Sequence, residues 1–581
     1  MGKSKKISKV RLAFVVLLLS MSYGYTITRL FSLQLVSADI LQKYAEDQYI
    51  MRFEMAPRRG RVCDVRGREL AVSMKVPSVF ANPYEIENPV EVSARLNRIL
   101  NVNQDTILKR LNRKKYFVWI KRKISNEEFQ MIEAAEIPGI HFIKESKRFY
   151  PQGELASHVL GFVNIDNVGQ EGIERTFENY LLGEAGYRKT QKDAKKRELF
   201  SFSDINTSVR DGDTVYLTID TTIQYIAERE VDKVFKKYHP ESVSIVVMDP
   251  HTGAILALAN RPTFDPNQYG KVDGDKRRNR VITDIYEPGS TFKVIAASAA
   301  LEEKLFLRDE KIYCENGEYK MSGRRMPLHD YHSYGWLSFD DVIKKSSNIG
   351  TVKIAQRLGS EKLHEYIRRF GFGARTNINL PGEQFGIFHP LNKWTRSSMS
   401  AVPIGQEIAA TSLQMVRAFS VFANGGWLVE PQICSRIENV EGVVIKTMDM
   451  NKRERILSSE TCRDMREILQ KVVSRDGTAY RAALDNFSAA GKTGTAQKAD
   501  LVRGGYAENK YVASFIGFAP ADDPSITILV TVNEPPWRVR FGGTIAAPVF
   551  KNVAEDVLRY MESNGRMYGK NHRKDNQGNQ S

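Results

Sequence analysis

The apolar positions of this chain fall into three successive patterns. The first is an unbroken run, LAFVVLLLSMSYGYTIT over Leu12–Thr28, which resumes after Arg29 and ends at Leu35. That length is near the lower limit for a helix that crosses a bilayer. Arg29 can extend its guanidinium to the far interface and so let the helix continue. Lys3, Lys5, Lys6, Lys9 and Arg11 form a basic flank, which predicts that residues 1–11 stay in the cytoplasm. A cleaved signal peptide is the rival reading. The run is long for one, and no A-x-A site follows it. The expectation is one uncleaved span over 12–35, with all later residues outside the cytoplasmic membrane.

The second pattern, over 36–220, is one of short alternating strands broken by turns. FVWIKR (Phe117–Arg122), GIHFI (Gly139–Ile143) and VYLTID (Val215–Asp220) read as strands, and Arg66-Gly67 as a turn. The charged stretch Tyr187–Leu199 reads as a solvated surface ribbon. The third pattern starts at Thr221 with the helical TTIQYIAEREVDKVFKKY. The strand Val243–Asp249, a turn at Pro250–Gly253 and the strand Ala254–Ala259 follow. Residues 290–475 read as mainly helical. Tyr511–Pro520 and Ile526–Val532 are strands joined by a turn, and Val549–Met561 is a last helix. Strands at both ends of a helical middle predict one sheet closed by segments distant in sequence. That makes 221–562 a single α/β domain, and 563–581 a polar tail expected to be disordered.

Composition narrows the classes. The 581 residues suggest several domains, and a charged content of 27% is ordinary for large cores. A mean hydropathy of −0.38 excludes a polytopic membrane protein. The net charge of +16 suits an anionic polymer or lipid surface. No zinc-finger spacing or aromatic–arginine RNA signature accompanies it, so no nucleic acid is expected. The four cysteines match neither a metal site nor a disulfide framework, and no histidine pair has ligand spacing. Neither a metal nor a cofactor is expected.

Three short motifs carry candidate chemistry. Glu287-Pro288-Gly289-Ser290-Thr291-Phe292-Lys293 places a serine at a turn into an alanine-rich helix, with Lys293 three positions on along the same face. A neutral lysine can take the serine proton, and burial beside other cations lowers its pKa. Ser346-Ser347-Asn348 offers a hydroxyl to relay protons and an amide to orient a donor peptide and Lys293. Lys492-Thr493-Gly494-Thr495 offers a fixed charge, and its two hydroxyls can take a carboxylate. Its glycine would let a peptide backbone lie on a strand edge. The N–H groups of Ser290 and Thr495 would form an oxyanion hole. Alone, each motif reads equally well as a helix cap or a turn. In one order, each in its expected local structure, they are the signature of serine penicillin-recognising enzymes, and S-S-N rather than S-D-N points away from class A β-lactamases.

From here the chain resembles class B penicillin-binding proteins over nearly its whole length. Arg58–Ser73, Lys147–Val163 and Gly169–Gly186 are similar to the family's pedestal motifs. Arg278–Lys293, Lys344–Gly359 and Ile404–Glu407 are similar to its catalytic segments. The resemblance implies a transmembrane helix, a mixed α/β pedestal over 36–220, and a serine transpeptidase domain over 221–562 whose antiparallel sheet is flanked by helices. It implies peptidoglycan D,D-transpeptidation through a Ser290 acyl-enzyme. Lys293, Ser346, Asn348 and Lys492 are then catalytic, and Thr493, Gly494 and Thr495 bind substrate. It also implies acylation by β-lactams, and a SEDS glycosyltransferase (FtsW-like) and other division proteins as partners. The R-N-R-x-I-T-D lead and the NVGQEGIERTF segment look like the division (FtsI) type rather than the elongation type, with a sporulation relative as a further alternative. The competing classes are a β-lactam hydrolase, which would need a placed base for deacylation, and an inert division scaffold.

Overall fold

The computed structural model describes residues 4–41, 50–192, 198–207, 209–321, 326–500 and 504–565. The tail expected to be disordered lies outside these residues, apart from its first three positions. The chain forms two compact units, Met1–Pro57 with Gly183–Asp211, and Arg58–Leu182 with Gly212 onward.

The first unit holds the long apolar helix α1 (Ser4–Phe31), continued by one wider π turn over Ser32–Val36. The most apolar 18-residue window of the segment Lys9–Val36 has a mean hydropathy of 1.6, and none of it is buried by protein. It is the one helix among the described residues long and apolar enough to cross a membrane. Thr26 and Thr28 donate their hydroxyls to the carbonyls of Ser22 and Gly24, 2.8 Å each, which satisfies both groups without water. The strand Ile50–Met55 pairs antiparallel with Gly186–Lys192, which pairs with Glu198–Thr207. The stretch expected as a solvated surface ribbon pairs in this sheet on both sides of 193–197, which lie outside the described residues.

In the second unit a seven-stranded sheet carries the pedestal. Val62–Cys63 lies between Glu69–Ala81 and Thr214–Leu217, and Ile140–Phe149 and Val118–Lys121 both pair with Glu69–Ala81. Residues 139–143, expected as a short strand, are the start of this longer one. Helices Pro89–Leu100, Gln104–Leu111 and Asn126–Ala134 cover one end of the sheet and close a small core of Val79, Leu96, Ile107, Ile120 and Ile132. The same sheet takes Cys434–Glu438 beside Thr214–Leu217. The boundary expected at 220 is thus crossed by backbone hydrogen bonds, and the pedestal's base and the following region share one large core.

The polar residues of the pedestal motifs converge on a buried network. Glu174, fully buried, accepts from Arg59 Nε and Arg148 Nε at 2.6 Å each and from the Tyr150 hydroxyl at 3.2 Å. Burial alone would raise the Glu174 carboxyl, but the two guanidiniums outweigh it and hold it below its ordinary value. Arg148 also donates to the Gly60 carbonyl. Arg68 donates to Asp64 at 2.7 Å and to Asp220 at 2.9 Å, and Asp64 accepts from the Thr221 hydroxyl.

The catalytic sheet begins after helix α2 (Thr221–Tyr238), capped by Asp220. Strands β1 (Ser242–Met248) and β2 (Ile255–Arg261) form the expected hairpin. Helix α3 (Lys293–Glu302) is buried on nearly every side, as its run of small apolar residues dictates. Helix α4 (Asn348–Leu358) packs against it. Strands β3 (Ala490–Ala499), β4 (Tyr506–Ala519) and β5 (Ile526–Asn533) then complete an antiparallel sheet in the order β2-β1-β5-β4-β3. Helix α5 (Gly542–Ser563) lies across β4 and β5. β1 is buried along its whole length and β5 at every position but Asn533, because both of their faces are covered. β3, which begins with the K-T-G-T motif, is left as an edge.

Candidate active site

The three motifs meet at the start of β3. Ser290 sits in a tight 3-10 turn, Gly289–Phe292, and Lys293 opens α3. The expectation of a serine in the first α-helical turn shifts by one element, because the Thr291 hydroxyl donates to the Pro288 carbonyl and tightens the turn. Gly289 has φ +56° and donates its N–H to the Gly405 carbonyl at 3.1 Å. Gly405 in turn has φ +77°, and a Cβ there would collide with the Gly289 backbone. The G-Q segment therefore braces the turn that carries Ser290.

Lys293 is fully buried. Its Nζ donates to the Ser346 carbonyl at 2.5 Å and to Asn348 Oδ1 at 2.7 Å, with Ser346 Oγ at 3.3 Å. Lys492, also fully buried, donates from the other side to Ser346 Oγ at 2.9 Å. One hydroxyl thus bridges two buried amines. Burial pushes Lys293 down to about 7, with Asp330 pulling the other way. Burial and the neighbouring Lys293 push Lys492 well below its ordinary value. The fixed charge expected on Lys492 is therefore disfavoured. Two ammonium groups sharing one hydroxyl out of water repel, and the pair is better served by fewer than two charges.

Ser346 holds φ +61°, a left-handed conformation that costs a serine energy. The surroundings that impose it centre on Asp330, which no motif marked. Its carboxylate accepts from the Ser347 hydroxyl at 2.5 Å, from the Asn348 N–H and from the Ile349 N–H at 3.1 Å. It thereby caps α4, while Ser347 also caps it by accepting from the Gly350 N–H. Asp330 lies sixteen positions before Ser346 in a loop, where no local pattern singles out one acidic residue. Asp330→Asn is expected to slow acylation of Ser290 about ten- to a hundredfold, the scale of a lost charge-assisted contact. It is also expected to move the acidic limb of the pH–rate profile to lower pH, because the carboxylate that raises Lys293 is gone. Stopped-flow acylation by a chromogenic β-lactam reads both, and an unmoved limb would deny Asp330 this influence on Lys293.

The third motif differs from expectation at its glycine. A Cβ on Gly494 would collide with Ser514 Oγ and lie 2.9 Å from Thr291 Cγ2. The space that the missing side chain frees is filled from within the protein. The glycine lets the edge strand press against the turn that carries Ser290. Thr493 Oγ1 lies 3.4 Å from Thr478 Oγ1, and Thr495 Oγ1 accepts from the Gly542 N–H at 3.1 Å. The structure thus brings Lys293, Ser346, Asn348 and Lys492 into one hydrogen-bonded cluster. The Ser290 turn packs against Gly494, and on the edge strand Thr493 is buried and Thr495 partly buried.

Comparison with known proteins fits this geometry. Residues 243–555 match the penicillin binding protein transpeptidase domain and residues 54–217 match the penicillin-binding protein dimerisation domain. The chain belongs to the penicillin-binding protein transpeptidases of the two-module, class B kind. It is 38% identical over 554 residues to "Stage V sporulation protein D" of Bacillus subtilis, covering 94% of this chain and 85% of that one. It is 31% identical over 549 residues to "Peptidoglycan D,D-transpeptidase FtsI" of Escherichia coli, covering 93% and 90%. Its fold is similar to a crystal structure of penicillin binding protein 3 from Mycobacterium tuberculosis complexed with ampicillin. There the TM-score is 0.70 and the identity 28%, covering 88% of this chain and 96% of that one.

Proposed function

We propose that the protein is a membrane-anchored peptidoglycan D,D-transpeptidase whose nucleophile is Ser290. The observation that carries this reading is the pair of buried lysines joined through Ser346 beside the serine's turn. Lys293, neutral, takes the Ser290 hydroxyl proton as Oγ bonds to the carbonyl carbon of the penultimate D-Ala. The N–H groups of Ser290 and Thr495 hold the resulting oxyanion, and the Thr493 and Thr495 hydroxyls hold the terminal carboxylate. The bond to the terminal D-Ala breaks as its nitrogen receives a proton through Ser346, supplied by the lysine pair. The amine of a neighbouring stem peptide then attacks the acyl-enzyme, forms the cross-link and returns the proton to Ser290. Asn348 orients Lys293 and the donor peptide. The backbone of Gly494, rather than the room left by its side chain, belongs to the edge on which the donor lies.

In this reading residues 1–11 lie in the cytoplasm, residues 12–35 are the anchor, and the remainder works on the outer side beside a SEDS glycosyltransferase. The setting is the division septum, supported by the division-type motifs and the likeness to FtsI. The higher identity to a sporulation protein supports a second setting, spore formation. Depletion would yield filaments in the first case and normally dividing cells with failed spores in the second. The direct test of the enzyme is labelling of the full-length protein with a fluorescent penicillin. Wild type is expected to take a stable covalent label and Ser290→Ala none. A label that decays within minutes would instead mark a hydrolase, and equal labelling of the variant would place the nucleophile elsewhere.

A further inference from the structure

Phe80, Trp119 and His141 sit on three neighbouring strands of the pedestal, with Phe80 opposite both of the others. Residues directly opposite one another share a face of a sheet. Val79 and Ile120, one position away, belong to the small core closed by the three pedestal helices. The row of rings therefore lies on the face that those helices leave uncovered. Further rings extend it. Phe117 stacks on Phe80 with ring centres 4.6 Å apart and meets Trp119 edge-on at 4.8 Å. Tyr116, its neighbour in the chain, packs on Tyr84 at 4.5 Å. These rings are open to solvent, with Tyr84 57%, Tyr116 58% and Phe117 42% exposed. A contiguous apolar patch rimmed by polar groups marks a binding surface.

A basic run leads into this ribbon. Lys109 lies in the last turn of the helix Gln104–Leu111, and Arg113, Lys114 and Lys115 follow before Tyr116. All four are exposed, and among the described residues none has a carboxylate partner. Two acidic residues stand near. Glu85 meets His141 Nε2 at 2.7 Å and accepts from the Asn82 amide, and Asp105 lies one turn before Lys109. Positive charge beside open rings suits an anionic partner with apolar surface, and the details separate the candidates. Lysine is depleted from protein–protein interfaces, yet three of these four cations are lysines. Lipid surfaces take up the apolar face of an amphipathic helix, whereas these rings are packed against one another along a sheet. A polysaccharide that carries carboxylates fits both features. The C–H face of a sugar carries weakly positive hydrogens, which meet the negative face of an aromatic ring. Its carboxylates are drawn to the lysines.

We propose that this face of the pedestal binds the glycan strand of the wall polymer, a polysaccharide with carboxylate-bearing branches. The rings of Tyr84, Tyr116 and Phe117 seat the sugars, and Lys114 and Lys115 hold the carboxylates. The choice of polymer rests on the transpeptidase reading, while the site shares no residue with the active site. A strand held here stays with the enzyme between successive cross-links.

The test uses the full-length protein in lipid nanodiscs, labelled beforehand with fluorescent penicillin so that the active site is occupied. Purified, protein-free wall polymer is added and sedimented, and fluorescence in the pellet measures retention. Wild type is expected to sediment with the polymer. The double variant Tyr116→Ala, Phe117→Ala is expected to need about tenfold more polymer for the same retention, the scale of one or two ring contacts. Tyr116→Phe keeps the ring and is expected to match wild type. Lys114→Ala with Lys115→Ala should weaken retention and lessen its dependence on salt. Soluble glycan fragments should compete well, and polyglutamate, an anion without sugars, poorly. Labelled wild type that stays in the supernatant, or ring variants that sediment as wild type does, would overturn the site and leave the transpeptidase standing. The face would then belong to a protein or a lipid surface. Equal competition by polyglutamate would overturn the assignment to sugars. A wild type that takes no label would overturn the transpeptidase reading, and this choice of polymer with it.

Discussion

Lys293→Met is expected to slow acylation of Ser290 about a hundred- to ten-thousandfold, the range of a lost general base. The substitution keeps a chain of similar length in a fully buried slot, so the protein should still fold. The wild-type pH profile is the second half of this prediction. The base must be neutral to act, and burial holds Lys293 at about 7. Acylation should therefore rise with pH through about 7 and level off above it, rather than climbing toward the ordinary lysine range. Lys293→Met should lose that limb altogether. Rapid-mixing measurements of β-lactam acylation from acid to mildly alkaline pH give both results. A wild-type limb that stayed near pH 10 would mean that Lys293 is charged in the resting site and that another group takes the serine's proton.

The largest expected effect on stability lies far from the nucleophile. Glu174→Ala would leave Arg59 and Arg148 facing each other in a buried pocket without their shared carboxylate. Breaking a buried charge network from one side costs about 3–5 kcal/mol. Because the pedestal and the catalytic region share a core and a sheet, the loss should reach both. The thermal midpoint of penicillin labelling and that of tryptophan fluorescence should fall together. A variant that lost only pedestal signals, with labelling unchanged across the same temperatures, would show the two parts to be energetically separate. Glu174→Gln, which keeps the shape and some of the hydrogen bonds, should fall between the variant and wild type.

Much of the architecture was legible because it is written in local periodicity. The hairpin of β1 and β2, the pair β4 and β5, helix α2 and the apolar α1 all follow from runs long enough for one period to dominate. The three motifs were legible as well, since each places its functional groups within a few residues of a turn or a helix end. Other features were out of reach because they depend on contacts between distant segments. Cys434–Glu438 completes the pedestal sheet from more than two hundred residues away, and nothing in CSRIE names Thr214–Leu217 as its partner. Gly494 reads as a gap for substrate until Thr291 and Ser514 are seen to fill it.

The sequence by itself determined the kind of site: a serine and lysine one helical turn apart, a hydroxyl–amide pair and a strand beginning with K-T-G. These are chemical identities at fixed short spacing, and no fold is needed to read them. Only the tertiary structure decided how those groups behave. Burial, not residue type, lowers Lys293 toward neutrality and works against the fixed charge expected on Lys492. Asp330, anonymous in its loop, became the anchor of the second motif once folding carried it to the end of α4. A cleft beside β3 exists because helix, turn and strand segments from seven stretches of the chain wall it in. Protonation, strain and cavity shape depend on what surrounds a group in three dimensions, and linear order alone does not specify that.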